Sequence, residues 1–110
     1  MKRDYKQELY LFLSSLSLTI ICEYKFHPKR KWRADFYIPE YNLLIEYEGM
    51  PYQIAKSRHT TIRGYRNDAE KYNEAALLGF RLLRYTAQMI ADGTAYSQIE
   101  SLIKFKREGL

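Results

Sequence analysis

The stretch Lys31-Trp32-Arg33-Ala34-Asp35-Phe36-Tyr37-Ile38-Pro39-Glu40-Tyr41-Asn42-Leu43-Leu44-Ile45-Glu46-Tyr47-Glu48-Gly49 reads as two β-strands joined by a tight turn. Aromatic and branched apolar residues fill both arms, and Pro39 to Asn42 carries the turn chemistry. Period-two alternation sends Trp32, Ala34, Phe36 and Ile38 to one face of the first arm, and Arg33, Asp35 and Tyr37 to the other. In the second arm Leu44, Glu46 and Glu48 share one face, and Leu43, Ile45 and Tyr47 the other. Antiparallel pairing brings Asp35 opposite the two glutamates, with facing side chains about 5 Å apart. Three bare carboxylates at that spacing repel one another. A Mg²⁺ or Mn²⁺ ion removes the conflict, because hard cations take oxygen ligands. Asp35, Glu46 and Glu48 are therefore the candidate metal ligands.

Around this pair lies a chain of 110 residues, the size of one domain. Apolar residues make up 46%, enough for a real core and too many for a disordered chain. The formal net charge of +5 tilts only slightly toward an anionic partner. Cys22 is the single cysteine, so no intramolecular disulfide is available, and no Cys/His cluster suggests structural zinc. That usage fits a reducing cytoplasm. The most apolar run, Leu11 to Cys22, is broken by Ser14, Ser15, Ser17 and Thr19. It is too short for a bilayer, which takes about 20 apolar residues. No membrane segment and no targeting signal are expected.

Upstream, Asp4 to Leu16 reads as a helix capped by Asp4, with Leu9, Phe12, Leu13 and Leu16 at helical spacing and Tyr5 on the same side. Glu8, beside that stripe, is open to two readings: a solvated helix carboxylate, or an additional acid at the edge of the site. Thr19 to Phe26 is a first strand. His27-Pro28-Lys29-Arg30-Lys31 follows as a basic loop, either a solvated turn or a phosphate contact, since four of its five residues can carry positive charge. Downstream, Met50 to Gly64 reads as a polar, basic loop of a length that is often functional. Tyr65 to Leu78 is a helix with a small-apolar side at Ala69, Tyr72, Ala75, Ala76 and Leu78, closed by Gly79. Phe80 to Thr86 is a fourth strand. A helix leading straight into it suggests a crossover, with the fourth strand parallel to the third. Ala87 to Ile90 reads as a helical turn and Ala95 to Lys106 as a last helix. The order αβββαβα gives an α/β domain, a mixed four-stranded sheet flanked by helices.

That order, with an acid in one strand and an acidic pair in the next, resembles the restriction-endonuclease-like nucleases, the PD-(D/E)xK superfamily. Within it, Trp32-Arg33-Ala34-Asp35-Phe36, Leu44-Ile45-Glu46-Tyr47-Glu48-Gly49, Arg58-His59-Thr60, Asp68-Ala69-Glu70-Lys71-Tyr72-Asn73 and Gly79-Phe80-Arg81-Leu82-Leu83-Arg84-Tyr85-Thr86 are similar to segments of small phage and bacterial nucleases related to the very-short-patch repair endonuclease. The resemblance runs from Lys31 to Thr86. It implies a Mg²⁺-dependent endonuclease that hydrolyses DNA phosphodiester bonds. It further implies structure-specific or repair and recombination work, a phage or prophage origin, and the cytoplasm of a bacterial host. Under it Asp35 matches the strand aspartate that binds Mg²⁺ and Glu46 the second acid. Glu48 stands where the superfamily carries a lysine. Three substitutes are open: Glu48 as a third ligand or base, Lys71 as a cation migrated to the next helix, and His59 as a general acid or base. Glu8 matches an acid that some members carry on the first helix.

On this reading Lys29, Arg30, Lys31 and Arg33, with Lys56, Arg58 and Arg63, hold flanking phosphates of the DNA. Cutting both strands of a duplex implies a homodimer. Two other classes compete. One is a catalytically inactive DNA-binding module on the same fold, favoured by the missing lysine and opposed by the retained acids. The other is a small basic structural protein whose acids pair with Arg33, Arg81 or Arg84. RNA remains open as a substrate.

Overall fold

A computed structural model describes residues 2–49 and 62–107. Asp4 accepts a hydrogen bond from the Gln7 amide at 3.0 Å and starts α1, Tyr5–Ser14. Strands β1 (Ile21–Lys25) and β2 (Arg33–Ile38) pair antiparallel. A 3₁₀ turn over Pro39–Tyr41 then reverses the chain, ending on Asn42 in the left-handed region at φ 49°. Asn42 accepts from the Tyr37 hydroxyl at 2.7 Å and donates to the Gly79 carbonyl at 3.0 Å, so the turn is tied to the far side of the sheet. Strand β3 (Leu43–Glu48) returns antiparallel to β2. Helix α2 (Ile62–Leu77) leads to β4 (Arg81–Thr86), which lies parallel to β3, as expected of a crossover. Thr86 caps the short helix α3 (Ala87–Ala91), and α4 (Thr94–Arg107) follows. The sheet order is β1-β2-β3-β4.

Helices cover both faces. On one, Leu9 and Leu13 of α1, Ile90 of α3, and Ala95, Ile99 and Ile103 of α4 pack on Phe36, Ile38, Leu43, Ile45 and Tyr85. On the other, Ala75 of α2 packs with Phe26, Ala34 and Leu44, flanked by Tyr24, Trp32, Tyr37, Phe80 and Leu82. No helix among the described residues is long and apolar enough to cross a membrane.

Three expectations change. The second helix begins at Ile62, inside the segment expected to be a loop. The rest of that segment lies outside the described residues, and with it His59, Lys56 and Arg58; of Arg63 only the backbone is described. Second, α2 does not dock through a small-apolar stripe. Ala75 is buried, but Ala69, Ala76 and Leu78 are exposed. Polar side chains hold the helix instead, as described below. Third, the alternation in β2 breaks. Phe36 and Ile38 face α1 and α4, whereas Trp32 and Ala34 join the α2 side. The register with β1 is continuous across the break, Cys22 opposite Phe36 and Tyr24 opposite Ala34, so no residue is inserted. The strand twists at Asp35. Its register neighbour Glu23 has φ 52°, a conformation uncommon outside glycine.

The Tyr85 hydroxyl is buried with no hydrogen-bond partner among the described residues, and burial pushes the phenol up to about 12. Removing a desolvated, unpaired donor relieves a penalty of about 1 kcal/mol or more. Tyr85→Phe is therefore expected to raise the unfolding free energy by about 1 kcal/mol in urea titration. A loss of stability would show that the hydroxyl has a partner.

Candidate active site

The twist at Asp35 opens the β2–β3 ladder where the acids lie. Phe36 and Ile45 are the last pair in register. Beyond them side chains replace the ladder. The Asp35 carboxylate accepts from the Tyr47 amide at 2.7 Å. Asp35 is thus fixed by the strand that carries Glu46, and the two carboxylates interact electrostatically.

Glu46 is 9% exposed, the one buried charged residue of the described core. Burial raises its carboxyl above the ordinary glutamate range; the Lys71 charge opposes this, and Asp35 adds to it. Lys71 reaches across from α2 to put Nζ 3.2 Å from Glu46 Oε1, with both side chains mostly buried. Lys71, one of the three substitutes weighed for the missing lysine, is therefore brought to the site.

A second lysine, which the sequence reading missed, serves Asp35. Lys6 Nζ lies 3.1 Å from Asp35 Oδ1 and 3.5 Å from Glu23 Oε1. Burial works against its charge, but Asp35 and then Glu23 outweigh it and hold the ammonium above its usual range. Lys6 precedes Leu9 and Leu13 by three and seven residues, in line with the buried stripe. A lysine on that line has to find an acid, and this was the available signal. Glu8 is turned elsewhere. Arg3 donates to it through Nε at 2.9 Å and Nη2 at 2.7 Å. The residue by which α1 reaches the carboxylates is the lysine. A cleft of about 310 Å³ opens between α1 and the β1–β2 pair, with Lys6, Tyr10, Glu23 and Asp35 in its lining.

Glu48, on the face of Glu46, is engaged by side chains of β4 and α2. Its Oε1 takes Arg84 Nε at 2.7 Å, Arg84 Nη2, and the Tyr72 hydroxyl at 3.1 Å. Of the pairings foreseen for a structural protein, the one to Arg84 is formed.

The basic loop projects from the β1–β2 end. Lys29, Lys31 and Arg33 are exposed. Arg30 lies over the Trp32 ring at 4.0 Å and pairs with Glu70 of α2 at 3.5 Å. His27 braces the loop. Its Nδ1 accepts from the amides of Lys29 (3.1 Å) and Arg30 (2.9 Å). The remaining proton therefore sits on Nε2, which donates to Glu74 Oε1 at 2.7 Å.

Among the described residues no group of three or more His, Cys, Asp and Glu side chains gathers at metal-binding distance. Two carboxylates nonetheless suit a hard divalent cation such as Mg²⁺, which keeps waters and takes phosphate oxygens in its other positions. The buried, raised Glu46 is the acid that a nearby cation relieves most.

No protein-family model matches this chain, and no curated protein matches it in sequence. In fold it is similar to the catalytic domain of the homing endonuclease I-Bth0305I, with a TM-score of 0.63 over 94% of this chain and 93% of that one, at 16% identity. Over nearly its whole length the chain shares the fold of an endonuclease's catalytic domain.

Proposed function

We propose that the protein is a metal-dependent endonuclease that hydrolyses DNA phosphodiester bonds. One observation carries this reading: Asp35, tied to the strand of Glu46 through the Tyr47 amide, lies beside that buried acid at the break in the sheet, with Lys71 at 3.2 Å from Glu46. Two neighbouring carboxylates at the end of an apolar ladder, each with its own lysine, offer oxygen ligands to a hard cation and positive charge to a phosphate. The shared fold with a homing endonuclease's catalytic domain supports it.

Asp35 and Glu46 would hold Mg²⁺ or Mn²⁺. When bound, such an ion supplies Lewis acidity toward a phosphate oxygen and makes water a better nucleophile near neutral pH. Lys6 and the Tyr47 amide fix Asp35, while Lys71 opposes the effect of burial on Glu46 and presents positive charge to the developing phosphorane. A water oxygen forms the new bond to phosphorus as the bond to one sugar oxygen breaks. The leaving oxygen takes a proton, from Lys71 or from His59. Lys29, Lys31 and Arg33, set by the loop that His27 braces, grip flanking phosphates in a sequence-independent way. A place within the PD-(D/E)xK superfamily near the very-short-patch repair branch, a phage or prophage origin, action in a bacterial cytoplasm, and homodimer formation for double-strand cutting belong to the same reading.

The test is cleavage of supercoiled, linear, branched and mismatched DNA in Mg²⁺, Mn²⁺ or EDTA, with Asp35→Ala alongside. Cutting that needs metal and fails in the variant is the expected result. Binding without cutting assigns the chain to the inactive DNA-binding class, and equal cutting by Asp35→Ala removes the site from the mechanism.

A further inference from the structure

We infer that Arg84 is a phosphate-binding residue of this site, and that Glu48 is its positioning residue rather than a metal ligand. The inference rests on the nuclease reading and deepens it.

The sheet puts Arg84 in place. In the parallel β3–β4 pair Glu46 is the register partner of Arg84. Register partners project to the same face, so Arg84 rises beside the buried acid. Its guanidinium is then held in two ways. Nε and Nη2 both donate to Glu48 Oε1, and the Tyr72 ring lies 4.0 Å from its central carbon. Tyr72 also donates its hydroxyl to that same oxygen. Burial, then the Glu46 charge, raises this phenol well above its ordinary range, so it stays a donor.

This arrangement bears on Glu48 first. All three donors fall on Oε1, so Arg84 and Tyr72 set the direction of this carboxylate and occupy that oxygen. It bears on Arg84 second. A surface ion pair adds little stability on its own, yet this one is backed by an aromatic ring and a tyrosine hydroxyl. The arginine side chain nevertheless keeps 42% of its surface open, against 18% for Lys71. A planar cation fixed in direction, open to solvent and adjacent to the carboxylate pair suits a phosphodiester oxygen. Lys71 is shared with Glu46 and is the less open of the two, so Arg84 adds the charge that an incoming phosphate meets first.

The experiment compares Arg84→Ala, Glu48→Gln, Glu48→Ala and the Glu48→Ala/Arg84→Ala double variant, each confirmed folded by circular dichroism. Duplex binding in EDTA is measured against salt. Losing one phosphate contact lowers the slope of log K on log salt by about one. Arg84→Ala and Glu48→Ala should each show that loss, and the double variant should match Arg84→Ala alone. Mn²⁺ affinity, by calorimetry, should be unchanged in Glu48→Gln. In cleavage Arg84→Ala should lose about 10²-fold in kcat. A tenfold loss of Mn²⁺ affinity in Glu48→Gln, or an unchanged salt slope in Arg84→Ala, overturns the inference even if wild-type cutting and its loss in Asp35→Ala uphold the nuclease reading. Without any cutting the nuclease reading falls, and the salt slopes still decide whether Arg84 meets phosphate. A wild type that binds no duplex overturns both.

Discussion

On the proposed nuclease function, Glu46→Gln is expected to lower metal-dependent cleavage by about 10³-fold or more, since it would remove a charged ligand from an ion that would supply several kcal/mol of transition-state stabilisation. The same variant is expected to melt higher than wild type in EDTA at neutral pH. The opposite signs come from one cause. Burial lifts the Glu46 carboxyl above its ordinary range. Between the ordinary glutamate value and the raised one, the folded state binds more protons than the unfolded state. Stability contributed by this group therefore falls as pH rises through that window and stays lowered above it. Glutamine keeps the shape and carries no charge to desolvate. Its advantage should be absent below the ordinary glutamate range, grow through the window, and level off above. Thermal melts in EDTA across that range measure it. A glutamine variant that melts lower at neutral pH would mean that Lys71, left without its anion, loses more than the carboxylate's burial had cost.

Much of the frame was legible because period and punctuation agreed. Asp4 as a cap, the Pro39–Asn42 turn, Gly79 after the second helix and the apolar runs of β3 and β4 each had one good structural reading, and the crossover rule supplied the parallel pair. Asp35 and Glu46 were visible for a related reason: acids inside strand patterns are costly unless used. The partners of the acids were less visible. Lys6 and Lys71 lie on helix lines that continue into buried positions, Leu9 and Leu13 for one and Ala75 for the other. Pairing them with strands twenty-five or more residues away depends on how the helices dock, which local pattern does not encode. The same holds for Glu48. Alternation put it on the face of Glu46, and that is where it lies. Its engagement by Arg84 was one option among three arginines, decided by the β3–β4 register. The break at Asp35 escaped entirely, because period two assumes a regular strand, and the left-handed backbone at Glu23, across from Asp35, leaves no mark in that pattern.

Lys71→Met is the second large effect, an expected loss of about 10²–10³-fold in kcat at saturating Mn²⁺. Methionine keeps an unbranched apolar stem against the sheet, so α2 should stay docked through Ala75 and Tyr72 while the charge is lost. Two consequences then separate. The Lys71 charge is the largest influence opposing the burial of Glu46, so without it the carboxyl rises further. Mn²⁺ should bind more weakly at neutral pH and recover as pH is raised. The kcat loss should persist after saturation, because it reports the cation's action on the phosphorane rather than on the ligand. Lys71→Arg restores the charge and should recover metal affinity, with cleavage recovering less because a planar fork does not replace a compact ammonium at 3.2 Å. Metal titrations at several pH values and single-turnover cleavage measure the two effects independently. If Lys71→Met cuts at the wild-type rate once metal is saturating, Lys71 is only the counter-ion that lets Glu46 stay buried. The positive charge acting on the phosphate then has to come from the other cation fixed beside that acid, the Arg84 guanidinium braced by Glu48 and Tyr72.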